Sequence, residues 1–122
     1  MEMLKGKVIK EVKGLSIGSE EIEIVFTDGF NLKMMHYQDC CEDVDVCDID
    51  GDAEDIIGNT LIAFKEVTGE TTCTEDGDQK YTFYTVETTG GYVWIRWLGA
   101  SNGYYSIDVS VNIYDQKGNL VN

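Results

Sequence analysis

The residues best equipped for chemistry lie between positions 36 and 42. The run Met35-His36-Tyr37-Gln38-Asp39-Cys40-Cys41-Glu42 holds the only histidine of the chain, two thiols and two carboxylates. Imidazole and thiolate suit zinc, and His36 with Cys40 or Cys41, Cys47 and Cys73 would complete four ligands. The spacing contains no Cys-x-x-Cys knuckle and matches no common zinc module. A second chemistry is a cysteine nucleophile activated by His36; the flanking acids oppose it, because they raise a thiol's pKa and reduce the thiolate. A third reading is a strand end at which His36 and Asp39 bond backbone groups and one cysteine is buried. At the level of sequence all three stay open.

Two further clusters bear on function. Asp48-Ile49-Asp50-Gly51-Asp52-Ala53-Glu54-Asp55 invites a calcium reading. In the EF-hand loop the glycine is sixth and a bidentate glutamate twelfth. Placing Gly51 sixth puts Val46 first and Ile57 last, and neither side chain can ligate. The segment therefore reads as solvated acid: Asp43, Asp45, Asp48, Asp50, Asp52, Glu54 and Asp55 as an acidic surface. The second cluster is Arg96 to Ser106, a hairpin tip with Gly99, Asn102 and Gly103 to turn it. Arg96 is the only arginine. It either pairs with an acid from the middle of the chain or holds an anionic group of a ligand, with Trp94 or Tyr104 stacking nearby.

The elements that position these residues are mostly strands. The chain has no proline and 13 glycines, so glycine, asparagine and aspartate make the turns. Leu4–Lys13 alternates loosely as a first strand. Glu20–Phe26 and Phe30–Tyr37 form a hairpin. A three-residue Thr27-Asp28-Gly29 loop pairs Phe26 with Phe30, Ile24 with Leu32 and Ile22 with Met34, which keeps the apolar set on one face. Gly29 is then the left-handed residue of a bulged turn. Asp39–Asp50 reads as acidic and irregular, Gly51–Gly58 as a short helix capped by Asp50 or Asp52, Thr60–Thr68 as a strand, and Gly69–Gln79 as a polar loop. Lys80–Thr88, Gly91–Leu98 and Tyr104–Tyr114 read as a three-strand meander, with Trp97 opposite Tyr105 and Ile95 opposite Ile107. The opposite face of that sheet carries Tyr81, Phe83, Tyr92 and Trp94. The sequence favours a second face covered by the helix and first hairpin. The expected fold is mainly β (α+β): an antiparallel sheet or small sandwich of six to seven strands, with one short helix near 52–57, in one domain over 1–122.

A chain of 122 residues that is 43% hydrophobic and 11% aromatic supports a single folded core. The net charge is −14, and it is unevenly spread: residues 39–78 hold 14 acids against Lys65 alone, a net of −13. Such a charge opposes direct binding to nucleic acid or anionic membranes. The expected partner is a protein with a basic surface. No apolar run approaches a membrane span, and the first residues lack the apolar stretch of a signal peptide. A cytoplasmic location and reduced thiols are the expectation. Adjacent cysteines are expected not to bridge each other. The motifs of metalloprotease, phosphate-loop and nucleophile-elbow enzymes are missing, so no enzyme activity and no cofactor are expected, zinc being the one metal in view.

Two sets of words resemble a known family. His36-Tyr37-Gln38-Asp39-Cys40-Cys41-Glu42 followed by Val44, then Asp55-Ile56-Ile57-Gly58, resembles a family of small uncharacterised proteins from tailed phages and prophages. So do Tyr81-Thr82-Phe83-Tyr84, Arg96-Trp97 and Ser101-Asn102-Gly103-Tyr104-Tyr105-Ser106. Cys47 and Cys73 fall outside that pattern. The resemblance implies an accessory phage protein acting in the cytoplasm of the infected bacterium. It directs attention to His36, Gln38, Asp39, Cys40, Cys41 and Glu42, with Arg96, Asn102 and Tyr104, as residues that bind a ligand or partner. The function this implies is non-enzymatic: a counter-defence, anti-CRISPR-like inhibitor that docks its acidic 39–78 surface on a host protein. A sponge for a nucleotide signal and a metal-binding protein centred on His36, Cys40 and Cys41 are the other two functions considered.

Overall fold

The computed structural model describes residues 2–122 as nine strands in two antiparallel sheets, joined by short turns. The first sheet has the order β1 (Ile9–Lys13), β2 (Glu21–Phe26), β3 (Asn31–Met35), β9 (Ser110–Tyr114). The second has the order β4 (Asp43–Asp50), β8 (Tyr92–Ser101), β7 (Gly77–Thr88), β5 (Leu61–Thr68), with the short β6 (Thr72–Thr74) also on β7. Both sheets feed one core. Ile9, Ile22, Ile24, Phe26, Leu32, Met34 and Ile113 come from the first, and Val44, Val46, Tyr84, Val86, Val93, Ile95 and Trp97 from the second. Each such fully buried aliphatic or aromatic side chain contributes about 1.5–3 kcal/mol. Backbone bonds join the two halves at two places: Gly6 and Ile9 donate to the carbonyls of Leu61 and Asn59, and Leu61 to that of Lys7, while Gly18 donates to the Val46 carbonyl and Val46 to that of Ser19.

The first hairpin has the expected register. Ile22 faces Met34, Ile24 faces Leu32, and the Phe26 N–H donates to Phe30 O at 2.9 Å. Gly29 has φ of 94°, the left-handed conformation that closes the bulged turn. The pairing of β7 with β8 also follows the expected alternation, with Tyr84 opposite Ile95 and Val86 opposite Val93.

Five expectations are corrected. Asp39–Asp50 is not irregular: Asp43–Asp50 is a strand, and it takes the edge of β8. With β4 on one side and β7 on the other, β8 has no edge left for a third meander strand. The chain after β8 instead crosses to the first sheet, where β9 pairs with β3. Gly99 permits this crossing, because a Cβ there would lie 2.5 Å from Ile107 O. The stretch expected as a polar loop at 69–79 contains β6 and the start of β7, which accounts for part of the rise from six or seven strands to nine. The expected helix is a single 3-10 turn, Ala53–Asp55, started at Asp52 and followed by Gly58 with φ of 83°. Finally, the second face of the β7–β8 sheet is not covered. Tyr81, Tyr92 and Val67 stand exposed there, and Phe83, Trp94, Arg96 and Leu98 are half-buried. Among the described residues no helix is long and apolar enough to cross a membrane.

Candidate functional site

Two connections pass between the sheets, residues 36–42 leading into β4 and residues 102–109 leading into β9. The loop of 36–42 is organised by Glu42, whose side chain is fully buried. Its carboxylate accepts from His36 Nε2 at 2.7 Å, from the Asp39 N–H at 2.9 Å, from the Cys40 N–H at 2.8 Å and from Gln38 Nε2 at 3.2 Å. Gln38 also donates to the Glu42 carbonyl at 2.7 Å. Burial pushes the Glu42 carboxyl up, but the bonds from His36 and from backbone N–H groups outweigh it and hold the carboxyl at about 2. The other ring nitrogen of His36, Nδ1, lies 2.7 Å from Asp108 O. Both ring nitrogens thus face acceptors, and both bonds are made when each nitrogen carries its proton. His36 thereby ties the two inter-sheet connections together. This is the strand-end reading of the motif, with Glu42 rather than a cysteine at its centre.

Cys40 and Cys41 are exposed, and their sulfurs are bonded to each other across a trans peptide. This corrects the expectation of free, unbridged neighbours. Glu42 gathers the preceding N–H groups into a tight turn, and that turn sets the two side chains next to each other. Cys47 and Cys73 are free. Cys47 Sγ accepts from Arg96 Nε at 3.3 Å, and Cys73 faces Asp78 across the β6–β7 ladder. His36 and the four cysteines are therefore not assembled, and no group of three or more His, Cys, Asp or Glu among the described residues is arranged to hold a metal ion.

Arg96 resolves toward internal pairing. Its guanidinium stands 5.2 Å over the Tyr81 ring and 3.7 Å from Asp48. At the tip, Asn102 Oδ1 accepts the Tyr104 N–H at 3.0 Å and so serves the turn, while Tyr104 is 83% exposed and packs edge-on against Tyr105. Asp55 accepts the Asp52 N–H at 2.9 Å, and Glu54 is exposed on the same turn.

The acids of β4 are placed by one extra residue. Asp43 and Asp45 face Ala100 and Leu98; after a bulge at Cys47, Asp48 and Asp50 face Arg96 and Trp94. Were Cys47 paired in the ladder like its neighbours, Asp48 and Asp50 would point into the core and Ile49 would point out. With it, all four carboxylates share the outer face, and Ile49 meets Ile95 on the inner side. The rows then run Asp50–Trp94–Thr85–Lys65, Asp48–Arg96–Phe83–Val67 and Asp45–Leu98–Tyr81 across the sheet. Phe83 stacks on Trp94 with centroids 5.8 Å apart, and the Tyr92 hydroxyl donates to Asp50 at 3.0 Å. Sequence reasoning found the aromatic set but did not place it beside the β4 carboxylates. The signal was the alternation Asp-Val-Asp-Val at 43–46, read from a segment too charged to suggest a strand.

No curated protein and no solved structure matches the chain. The family described as "Domain of unknown function (DUF7448)" matches residues 2–111, and the chain belongs to that family.

Proposed function

We propose that the chain is a non-enzymatic binding protein that occupies a basic surface of a host protein, as an accessory gene product of a phage. The observation that carries this reading is the outer face of the second sheet. An uncovered aromatic platform of Tyr81, Phe83, Tyr92 and Trp94 runs alongside four carboxylates of one edge strand, only one of which, Asp48, has a cation within ion-pairing distance among the described residues. Exposed apolar surface rimmed with charge is what a partner buries. The charge accelerates encounter with a basic partner and repels nucleic acid. A nucleic-acid-binding surface of a host nuclease has the complementary character, which makes a counter-defence, anti-CRISPR-like role in the cytoplasm of the infected bacterium the specific form of the proposal. The nucleotide-sponge reading draws less support, since Arg96 already serves Asp48 and the 101–106 tip bonds to itself.

The test is capture from host lysate with the chain and with a variant carrying Asp43→Asn, Asp45→Asn and Asp50→Asn, which leaves the Asp48–Arg96 pair in place. Basic proteins are expected on the unaltered chain at low salt and to be lost at ~0.5 M salt, where the screening length is only ~4 Å. They are expected to be lost from the variant at either salt. Equal retention by both proteins, or retention indifferent to salt, excludes the acidic face as the docking surface.

A further inference from the structure

Resting on the reading of this face as a partner surface, we infer that its occupant is an arginine-bearing protein segment. Its guanidinium groups would lie on the aromatic rows and point their N–H forks at the β4 carboxylates. The face already shows how it holds such a group. Its one resident guanidinium, that of Arg96, is set between the Tyr81 ring at 5.2 Å and the Asp48 carboxylate at 3.7 Å. The neighbouring row repeats that pairing of carboxylate and ring, Asp50 at the edge and Trp94 next to it, and its one cation, Lys65 at the far end, is paired with Glu87 rather than with Asp50. Trp94 is stacked on Phe83, with 28° between the planes, and Tyr92 is held against Asp50 through its hydroxyl. On the other side of Arg96 the row runs Asp45, Leu98, Tyr81, a carboxylate followed by an apolar side chain and by the ring that Arg96 already shares.

The chemistry selects arginine over lysine. A guanidinium is planar and weakly hydrated, so it can stack on an aromatic face and offer a fork to a carboxylate at once; an ammonium is a compact, strongly hydrated point charge that does neither as well. It selects a protein segment over a phosphate-bearing partner, because the same carboxylates repel phosphate. The strand spacing of ~4.8 Å brings a carboxylate and the ring on the next strand within reach of a single arginine side chain.

The measurement is calorimetric titration of the full chain at ~50 mM salt with three synthetic peptides of equal length, alternating serine with arginine, lysine or glutamate. The arginine peptide is expected to bind about tenfold or more tightly than the lysine peptide, since two or three stacked guanidinium groups each add a modest preference. The glutamate peptide is expected to show no heat of binding. Trp94→Ala and Asp50→Asn are each expected to reduce arginine-peptide affinity several-fold, with the circular dichroism spectrum of each variant unchanged. Equal affinity for the arginine and lysine peptides would overturn the stacked-guanidinium occupant while leaving the acidic docking face intact. Failure of every peptide to bind, with salt-sensitive capture from lysate still observed, would overturn the occupant alone; failure of both experiments would remove the docking face as well.

Discussion

The outer faces of the two sheets use the same types of side chain to opposite ends. On the first sheet, charges alternate across the strands and neutralise one another. Lys13, Glu23 and Lys33 form one cross-strand row, Lys33 reaches Glu21 at 3.1 Å, and Asn31 donates to Glu23 at 2.9 Å. Glu21 holds the Lys33 ammonium above its ordinary value, as expected of a satisfied pair. Lys13, Glu21, Glu23 and Lys33 line an open cleft of about 230 Å³ whose charges are already matched. On the second sheet, the carboxylates of β4 outnumber the nearby cations, and the rings beside them lack cover. One face is finished by the chain itself; the other has surplus charge and apolar area that another molecule could complete. Pairing of surface charge, more than its amount, separates the two faces.

The largest expected effect tests the clamp from which both faces hang. Glu42 lies in the connection from the first sheet to the second, and its carboxyl stands at about 2 in the folded protein against an ordinary 4.5. A carboxyl lowered by folding stabilises the native state in full above about pH 4.5, and that contribution disappears as pH falls toward 2. Denaturant titrations between pH 7 and pH 2 should therefore show a steep loss across this window. In Glu42→Gln the amide presents donors to the His36 and backbone N–H groups, so stability should fall at pH 7 and the slope below pH 4.5 should flatten. An unchanged slope would mean that the clamp does not control how the sheets are joined.

A smaller effect separates the faces directly. Lys33→Glu sets a third carboxylate beside Glu21 and Glu23, and should cost about 1 kcal/mol in urea unfolding without changing arginine-peptide binding. The smallest runs in the other direction: Asp45→Asn should stabilise the free protein by ~0.3 kcal/mol, through relief of like-charge repulsion along β4, while weakening peptide binding. A loss of stability from both substitutions would erase the distinction between the faces.

Parts of this arrangement were legible in the sequence. The first hairpin was, because Asp28-Gly29 and the flanking apolar alternation admit one register that keeps Ile22, Ile24, Leu32 and Met34 together. The β7–β8 pair was legible as an alternation that puts Tyr84, Val86, Val93 and Ile95 on one face, though more than one turn near Thr89-Gly90-Gly91 satisfies it. β4 was hidden because its alternation changes phase at Cys47, and a phase change in an acidic segment reads as irregularity. The destination of β9 was hidden because a third meander strand and a crossing strand have the same local pattern; the partner β3 lies far back in the chain. At the candidate site, the cluster of His36 to Glu42 was conspicuous, yet its organiser was not. Which of several polar residues turns inward depends on the two connections meeting at Asp108, a contact across 72 positions. The aromatic second face was visible as an apolar set, but whether anything covers it is a property of tertiary packing alone.

The extra residue at Cys47 gives strand β4 one position that the alternation of its two sides does not need. Any one of its aspartates could be exchanged for another polar residue while the strand keeps its two sides. Loss of the Cys47 codon would likewise leave Val46 opposite Trp97 and Asp48 opposite Arg96, now in an unbroken ladder, with Ile49 still on the inner side. For this chain, an in-frame deletion of Cys47 spares the placement of the four carboxylates and removes the sulfur that accepts from Arg96 Nε.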